Sequence, residues 1–205
     1  MPRNPRGHFA LFHLVDIEDV VKIPPSLFGQ PLRNAALKIL KSKYESTISP
    51  ELGYLVYIVK TDVDPAGKVI PGDGSTYHKV RFTVLAYMPR LQEIVEGEIV
   101  EITDFGAFVR IGPADALLHL SQITDDFLTS DVKKGMITAS RSNRSLKVGS
   151  KIRARITAVS LGRGAQMGKI GITCRQPFLG ALEWIEEEVT KATKGADQGK
   201  GPAKS

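Results

Sequence analysis

The sequence predicts an α+β protein, in which a small β-α-β-β domain precedes an all-β five-stranded OB barrel and a C-terminal helix. Three observations lead to this prediction. Apolar residues recur at helical spacing over residues 31–44, between strand-like stretches. Beyond Pro89 the chain changes to five short β-branched stretches separated by glycine, and five strands without a long intervening helix usually close as an OB barrel. A last amphipathic stretch covers residues 180–190.

The first domain, residues 1–88, follows from local patterns. "IPPSLFG" (23–29) is a stiff loop, because two consecutive prolines fix φ and remove two backbone donors. Pro31 suits the first position of a helix, and Ser49-Pro50 ends it. The predicted elements are a strand at 9–15 with an extended or irregular continuation to 23, the helix, and strands at 53–61 and 79–86.

The second domain, residues 89–190, is predicted as the barrel with its helix. A short helical turn follows the third strand, and residues 129–150 form a long connection. The polar stretch 191–205 is predicted to be a disordered tail. The five predicted strands are "EGEIVEI" (96–102), "AFVRI" (107–111), "ALLHL" (116–120), "KIRARITAV" (151–159) and "GKIGITC" (168–174).

Strand alternation assigns the two faces of these strands, because successive side chains point to opposite sides. Val109 and Ile111 are predicted to face the core, which leaves Phe108 and Arg110 outside. In the last two strands the predicted inner residues are Ile152, Ala154, Ile156, Ala158, Ile170, Ile172 and Cys174. The predicted outer residues are Lys151, Arg153, Arg155, Lys169, Thr173 and Arg175.

An exposed aromatic residue beside exposed cations suits single-stranded nucleic acid, whose bases stack on rings while cations follow the phosphates. Phe105 lies at the turn before Phe108, and Gly106 permits the bend that brings both rings to one side. The residues alone leave other interpretations open. Phe105 could plug the barrel and Phe108 could pack under a loop, His119 could be a partly buried structural histidine, and the basic row could keep a sheet edge soluble.

The composition excludes several classes of function for this chain. No apolar run approaches the roughly 20 residues of a spanning helix, so no membrane partner is predicted, and the N-terminus does not resemble a signal peptide. One cysteine fits a reducing cytoplasm. Four scattered histidines indicate no metal site, and we expect no cofactor and no catalytic residue, because neither a nucleophile–base pair nor a phosphate-binding loop is present.

The basic residues are segregated along the chain, whose net charge is +6. Residues 132–182 hold eleven of the 28 basic residues and no acidic one, which leaves 17 basic against 22 acidic residues, a net charge of −5, elsewhere. This segregation favours a polyanionic partner, most plausibly nucleic acid. A solvated basic face without a partner is the alternative.

The barrel pattern resembles a known RNA-binding module. "EGEIVEITDFGAFVRIG" followed by "ALLHLSQI" is similar to the OB-type module named after the large ribosomal protein S-one. The resemblance implies that Phe105, Phe108 and His119 face RNA. That family often places an aspartate and an arginine near the last two strands, where this chain has Ser160 and Lys169. We expect Arg153 and Arg155 to offset the difference.

A longer pattern, from about residue 12 to residue 185, resembles the E-prime stalk protein of archaeal RNA polymerase, whose eukaryotic counterpart is the larger polymerase II stalk subunit. It is carried by "FHLVDIEDVVKIPPSLFG", "GYLVYIVK", "GDGSTYHKVRFTVLAYMPRLQEIVEGEIVEI" and "RQPFLGALEWI". Residues 1–11 form an extension beyond the usual family start. The resemblance implies a truncated RNP-like N-terminal domain that docks on the polymerase core through a tip, here Pro24, Pro25, Leu27 and Phe28.

The resemblance further implies a non-catalytic, cytoplasmic stalk subunit that forms a heterodimer with the F subunit of RNA polymerase and binds nascent single-stranded RNA. The expected RNA contacts are Phe105, Phe108, Arg110, His119, Lys151, Arg153, Arg155 and Lys169. Two alternatives remain at this point: an OB-fold component of a translation or RNA-decay assembly, and a structural adaptor that contacts only protein. For the tip, the alternative is that Phe28 closes the core of its own domain.

Overall fold

The computed structural model describes residues 11–142, 144–162 and 168–197, with side chains described as far as residue 191. The chain forms two compact units. Of the described residues, the first unit comprises 11–89 with 161, 162 and 168, and the second comprises 90–142, 144–160 and 169–197.

The first unit is an antiparallel sheet with one helix on one face. Its strands are β1 (Phe12–Ile23), β2 (Thr47–Ser49), β3 (Gly53–Val63), β4 (Lys68–Val69) and β5 (Thr76–Tyr87), and its helix is α1 (Leu32–Tyr44). The sheet order is β1-β5-β3-β2, with β4 paired to β5. Buried side chains from α1 and from the central strands form the core, including Ala36, Leu40, Phe82 and Val84.

The β-α-β-β prediction is confirmed for the main elements of this unit, and four details differ. The helix ends at Tyr44 and not at Ser49-Pro50, because Thr47–Ser49 pair with β3 as a short strand. β1 continues to Ile23 as one strand, because all twelve of its residues pair with β5. The short strands β2 and β4 were not predicted. They have three and two residues, too few to show alternation, and they form through their pairing with β3 and β5.

The second unit is built on a closed five-stranded barrel, as predicted. Its strands follow the closed order β6-β7-β8-β13-β12, in which only the β8–β13 pair is parallel. The barrel strands are β6 (Ile94–Ile102), β7 (Gly106–Arg110), β8 (Asp115–His119), β12 (Lys151–Ser160) and β13 (Lys169–Thr173). The remaining elements are β9 (Leu128–Asp131), β10 (Met136–Ala139), β11 (Ser145–Lys147), β14 (Gly180–Ala181) and α2 (Leu182–Asp197).

Two features of the second unit differ from the prediction. Residues 129–150 are not a plain connection, because they contain most of β9 and all of β10 and β11, which form the three-stranded sheet β11-β10-β9. The last helix, α2, runs seven residues beyond its predicted end at residue 190. Residues 198–205 of the predicted disordered tail lie outside the described residues.

The predicted strand faces hold for most barrel positions, and two assignments are wrong. Ala158 was expected inside but is exposed, because a β-bulge between Ile156 and Ala158 shifts the register against β13. Thr173 was expected outside but is buried. The backbone carbonyl of Gln122 covers it, accepting hydrogen bonds from the Thr173 hydroxyl (3.4 Å) and from the Cys174 amide (2.7 Å).

Within the described residues, neither α1 nor α2 combines the length and the apolar character that crossing a membrane requires.

Candidate nucleic-acid interface

The turn between β6 and β7 holds two aromatic rings together. The Phe105 and Phe108 rings meet edge to face, with centroids 6.3 Å apart. Phe105 is 44% exposed and Phe108 is half-buried. The turn is closed by the Gly106 carbonyl, which accepts hydrogen bonds from the Thr103 amide (2.8 Å) and hydroxyl (3.0 Å). Neither ring is fully buried in the core, so both are open to a ligand.

Gly106 allows β7 and β8 to approach closely at this turn. A Cβ atom at Gly106 would lie 2.3 Å from the Leu118 carbonyl oxygen, so no other residue fits without a shift of backbone. The Leu120 amide donates to the Phe105 carbonyl at 3.0 Å. Gly106 is also paired with His119, and the close approach therefore brings the histidine beside the aromatic rings.

His119 is exposed, and its ring is held in a defined orientation. Its Nδ1 accepts a hydrogen bond from the Ser121 amide (3.2 Å) and lies 2.8 Å from the Ser121 hydroxyl. A backbone amide can only donate, so Nδ1 acts as the acceptor and neutral His119 carries its proton on Nε2. This leaves the Nε2–H group available to donate to a ligand.

A shallow apolar surface extends from Phe108 across the neighbouring strands β8, β13 and β12. Phe108 is paired with Leu117, Leu117 with Gly171, and Gly171 with Ala158. Glycine has no side chain and alanine has one methyl group, so little projects above the strands beside the Phe108 ring. We call the outer side of β7, β8, β13 and β12 the barrel face.

The predicted cations occupy different environments on the barrel. The Arg110 guanidinium is held by both carboxylate oxygens of Asp115, at 2.9 and 3.2 Å, and this contact raises the pKa of Arg110. Arg155 donates to neutral acceptors, the Gln176 side chain (2.6 Å) and the Gln92 carbonyl (2.8 Å). The charge of Arg155 is therefore not cancelled by these partners, whereas that of Arg110 is balanced by Asp115.

The predicted RNA contacts lie on the outer side of the barrel strands or at their turns. Phe105, Phe108, His119, Arg155 and Lys169 lie on or beside the barrel face, and Arg110 lies at its β7 edge.

Lys151 and Arg153 lie on the outer side of β12 with Arg155, opposite acidic residues of β6. Lys151 is paired with Glu98, and Arg153 forms an ion pair with Glu96 at 2.7 Å. The three cations expected in one row along β12 therefore share its outer side, but they differ in their partners. Alternation along one strand does not reveal these partners, because they belong to neighbouring segments of the chain.

One exposed cation near the barrel face was not among the predicted contacts. Arg175 follows β13 and donates at 3.3 Å to the carbonyl of Ser121, the residue that orients the His119 ring. It also forms an ion pair with Asp125. Its place beside the His119 turn depends on the parallel β8–β13 pairing, which local sequence does not indicate.

The predicted tip of the first unit is an ordered turn. Residues Pro25–Leu27 form a single 3₁₀ turn. Leu27 packs against the core of the unit, while the Phe28 side chain is 51% exposed. Phe28 therefore does not close its own core. Pro24 is partly buried and Pro25 is exposed.

A second loop braces this turn. The Asp73 carboxylate forms an ion pair with Lys22 (2.7 Å) and accepts a hydrogen bond from the Tyr77 hydroxyl (2.6 Å). These contacts hold the pKa of Asp73 well below its usual range, the Lys22 contact most strongly. A Cβ atom at Gly74 would lie 3.5 Å from Pro25, so this loop is in contact with the turn.

Within the described residues, no group of three or more His, Cys, Asp or Glu side chains is placed to hold a metal ion. Cys174 is buried, and burial raises the pKa of its thiol to about 12.

Comparisons with known proteins agree with both units. Residues 18–74 match the profile described as "SHS2 domain found in N terminus of Rpb7p/Rpc25p/MJ0397", and residues 89–169 match the S1 RNA binding domain. The chain is 39% identical over 184 residues to DNA-directed RNA polymerase subunit Rpo7 of Sulfolobus acidocaldarius, covering 90% of this chain and 100% of that protein. The chain belongs to the Rpo7 family of DNA-directed RNA polymerase subunits.

Other Rpo7-family relatives extend this comparison. Rpo7 of Saccharolobus shibatae is 40% identical over 177 residues, which cover 86% of this chain and 98% of that subunit. The DNA-directed RNA polymerase II subunit RPB7 of Saccharomyces cerevisiae is 23% identical over 174 residues, which cover 84% of this chain and 100% of that subunit. The predicted resemblance to the archaeal stalk subunit is confirmed.

Two residues differ from the S1 pattern, and both lie at the same end of the barrel. Ser160 and Lys169, which stand where that pattern often has aspartate and arginine, are paired with each other at the end of the β12–β13 hairpin. Lys169 is exposed at this end of the barrel face. The position therefore keeps a cation but lacks a carboxylate at Ser160.

Proposed function

We propose that this chain is a non-catalytic stalk subunit of an archaeal RNA polymerase, acting in the cytoplasm. In this proposal the tip docks on the polymerase core, the chain pairs with the polymerase's F subunit, and nascent single-stranded RNA lies on the barrel face. Membership of the Rpo7 family and the S1 domain supports the assembly and the ligand class. The buried cysteine suits a reducing compartment.

The observation that carries the RNA proposal is the convergence of rings and cations on the barrel face. Phe105, Phe108 and His119 come together because Gly106 lets β7 and β8 approach closely. Arg155 lies on this face, and its guanidinium donates to two neutral acceptors, Gln176 and Gln92. Aromatic rings beside such a cation match the two components of single-stranded RNA, the bases and the phosphates.

The mechanism is binding rather than chemistry. Bases would stack on Phe105 and Phe108, the His119 Nε2–H would donate to a base or phosphate oxygen, and Arg155 and Lys169 would contact phosphates. Because stacking and phosphate contacts tolerate any base, we expect weak sequence preference. Arg110, Lys151 and Arg153 are expected to contribute less, since each has a carboxylate partner or neighbour.

RNA affinity measured against salt concentration tests this proposal. The Phe108→Ala variant should bind oligouridylate about 5- to 160-fold more weakly, which corresponds to the loss of about 1–3 kcal/mol of base stacking. Tyr57→Ala is the matched control, because Tyr57 is an exposed ring under a lysine in the other unit. Equal affinity of Phe108→Ala and wild type, or no wild-type binding at low salt, would favour a protein-only adaptor.

Core docking requires a separate experiment. A proline-stiffened turn that presents Phe28 loses little entropy on insertion into a pocket. We expect Phe28→Ala to weaken assembly with the stalkless polymerase while pairing with the F subunit is kept. Val69→Ala, at an exposed apolar position of the same unit, is the control. If Phe28→Ala assembles like wild type, the tip is not the docking element.

A further inference from the structure

The small sheet β9–β11 carries an exposed aromatic–cation pair outside the barrel face. Phe127 is 71% exposed, and the Arg141 guanidinium lies over its ring, 5.4 Å from the centroid. We propose that this pair is a second stacking site for single-stranded RNA, which extends the path of the RNA beyond the barrel face. The inference rests on the proposed function.

The pair is held in place by one carboxylate. Asp126 accepts hydrogen bonds from the amides of Phe127 (2.7 Å) and Arg141 (3.0 Å), and from the amide (2.8 Å) and hydroxyl (3.0 Å) of Ser142. The Ser140 amide also donates to the Phe127 carbonyl at 2.9 Å. The backbone on both sides of the pair is therefore fixed, so that a base would stack on a preorganised ring.

The electrostatic setting favours a polyanion. Asp126 directs its oxygens to neutral donors, and no ion pair involves the Arg141 guanidinium among the residues that the structure describes. Residues 132–182, which include Arg141, contain no acidic side chain, and of the two aspartates that precede Phe127, Asp125 is paired with Arg175. An arginine that covers one side of a ring leaves the other side for a base while its charge attracts a phosphate. A purely apolar protein partner would leave this charge without a counterpart.

The small sheet is attached to the turn that carries Phe105. The Ser130 hydroxyl in β9 donates to the Thr103 carbonyl at 2.6 Å. Phe127 lies three residues before Ser130, and Phe105 lies two residues after Thr103. At roughly 3.3–3.6 Å per residue, the backbones at Phe105 and Phe127 are at most about 25 Å apart. An RNA of moderate length can therefore contact both sites.

RNA length separates this site from the barrel face. We would measure the affinity of the full-length chain for oligouridylates of about 6 and about 20 nucleotides, which bracket the usual OB-fold site size. Phe127→Ala should weaken binding of the longer RNA about fivefold and leave the shorter one unchanged, whereas Phe108→Ala should weaken both. Arg141→Ala should lower the slope of log K against log salt by about 0.7 for the longer RNA.

Two further variants exclude a structural origin of such an effect. Phe127→Trp should keep the affinity for the longer RNA, and its added indole emission should be quenched by that RNA. Tyr57→Ala, which removes a comparable ring–cation pair in the other unit, should behave as wild type.

The inference is overturned if Phe127→Ala binds the longer RNA as tightly as wild type while Phe108→Ala does not. The same holds if Phe127→Ala loses only assembly with the polymerase, which would make Phe127 a protein contact. Failure of wild type to bind either RNA would overturn the proposed function and this inference together.

Discussion

Replacing Gly106 with alanine tests how the fold builds the barrel face. The added Cβ would lie 2.3 Å from the Leu118 carbonyl oxygen, 3.0 Å from the His119 Cα and 3.1 Å from the Leu118 carbonyl carbon. All three atoms belong to the β8 backbone, which cannot rotate away as a side chain can. An ordinary contact of this kind begins at 3.4 Å. The two strands must therefore separate by about 1 Å at the position that joins the aromatic turn to His119.

The expected loss of stability follows from this separation. A shift of about 1 Å takes the bond from the Leu120 amide to the Phe105 carbonyl, now 3.0 Å, beyond hydrogen-bonding range. Overpacking of this kind costs about 1–3 kcal/mol, and the lost hydrogen bond adds about 1 kcal/mol. We expect Gly106→Ala to lower the free energy of unfolding of the barrel unit by about 2–4 kcal/mol, and its Tm by about 10–20 °C.

Trp184 provides the assay, because it is the one tryptophan of the sequence and lies in α2 of the barrel unit. Its fluorescence during thermal and urea unfolding should report the loss, and RNA affinity of the folded variant should fall as well. Gly29→Ala is the control, since a Cβ there has no neighbour within 4 Å. The control should stay within about 0.5 kcal/mol of wild type by circular dichroism. A wild-type Tm for Gly106→Ala would refute the close-approach argument.

The remaining predictions concern buried and paired side chains. Because burial raises the pKa of Cys174 to about 12, its thiol should react with a disulfide reagent at about pH 8 only after unfolding; rapid labelling of the folded chain would contradict its burial. Burial also raises the pKa of Tyr87 to about 12, so its neutral phenol stabilises the fold fully below about pH 10. That contribution, about 3 kcal/mol, should be lost as the pH rises to about 12, and absorbance titration should show a tyrosine that ionises at about pH 12. Arg144→Ala should cost about 1 kcal/mol and shift the Trp184 emission to the red, because Arg144 lies over that ring at 5.2 Å and pairs with Glu188 at 2.8 Å. Glu188→Gln should keep the emission, and an equal shift in both variants would exclude the ring contact.

Local sequence patterns predict the main elements of this fold. The helix α1 shows apolar residues at helical spacing after Pro31, and the five barrel strands show β-branched residues between glycines. Each pattern spans enough residues to be distinguished from its alternatives. The strands of the small sheet β9–β11 have three or four residues each, so they lack such a pattern and are stabilised by pairing with one another.

The candidate site was predictable only in part. Alternation correctly placed Val109 inside the barrel and Arg110 outside. It failed at Ala158, because a bulge against β13 changes the parity of β12 at that point. It also could not find Phe127, whose partner Arg141 is 14 residues away and is brought over the ring by the carboxylate of Asp126.

By itself, the sequence determined the helix α1, the main strands, most of the side chains that point away from the core, and that the chain has the motifs of the Rpo7 family. Only the tertiary structure decided which outward side chains meet. Outward side chains of a closed barrel can point in any direction around it. Which of them become neighbours depends on the register between strands that are far apart in sequence. That register places Arg153 opposite Glu96 on β6, and it places Arg155 between Ile94 on β6 and Thr173 on β13, although the two arginines are only two residues apart.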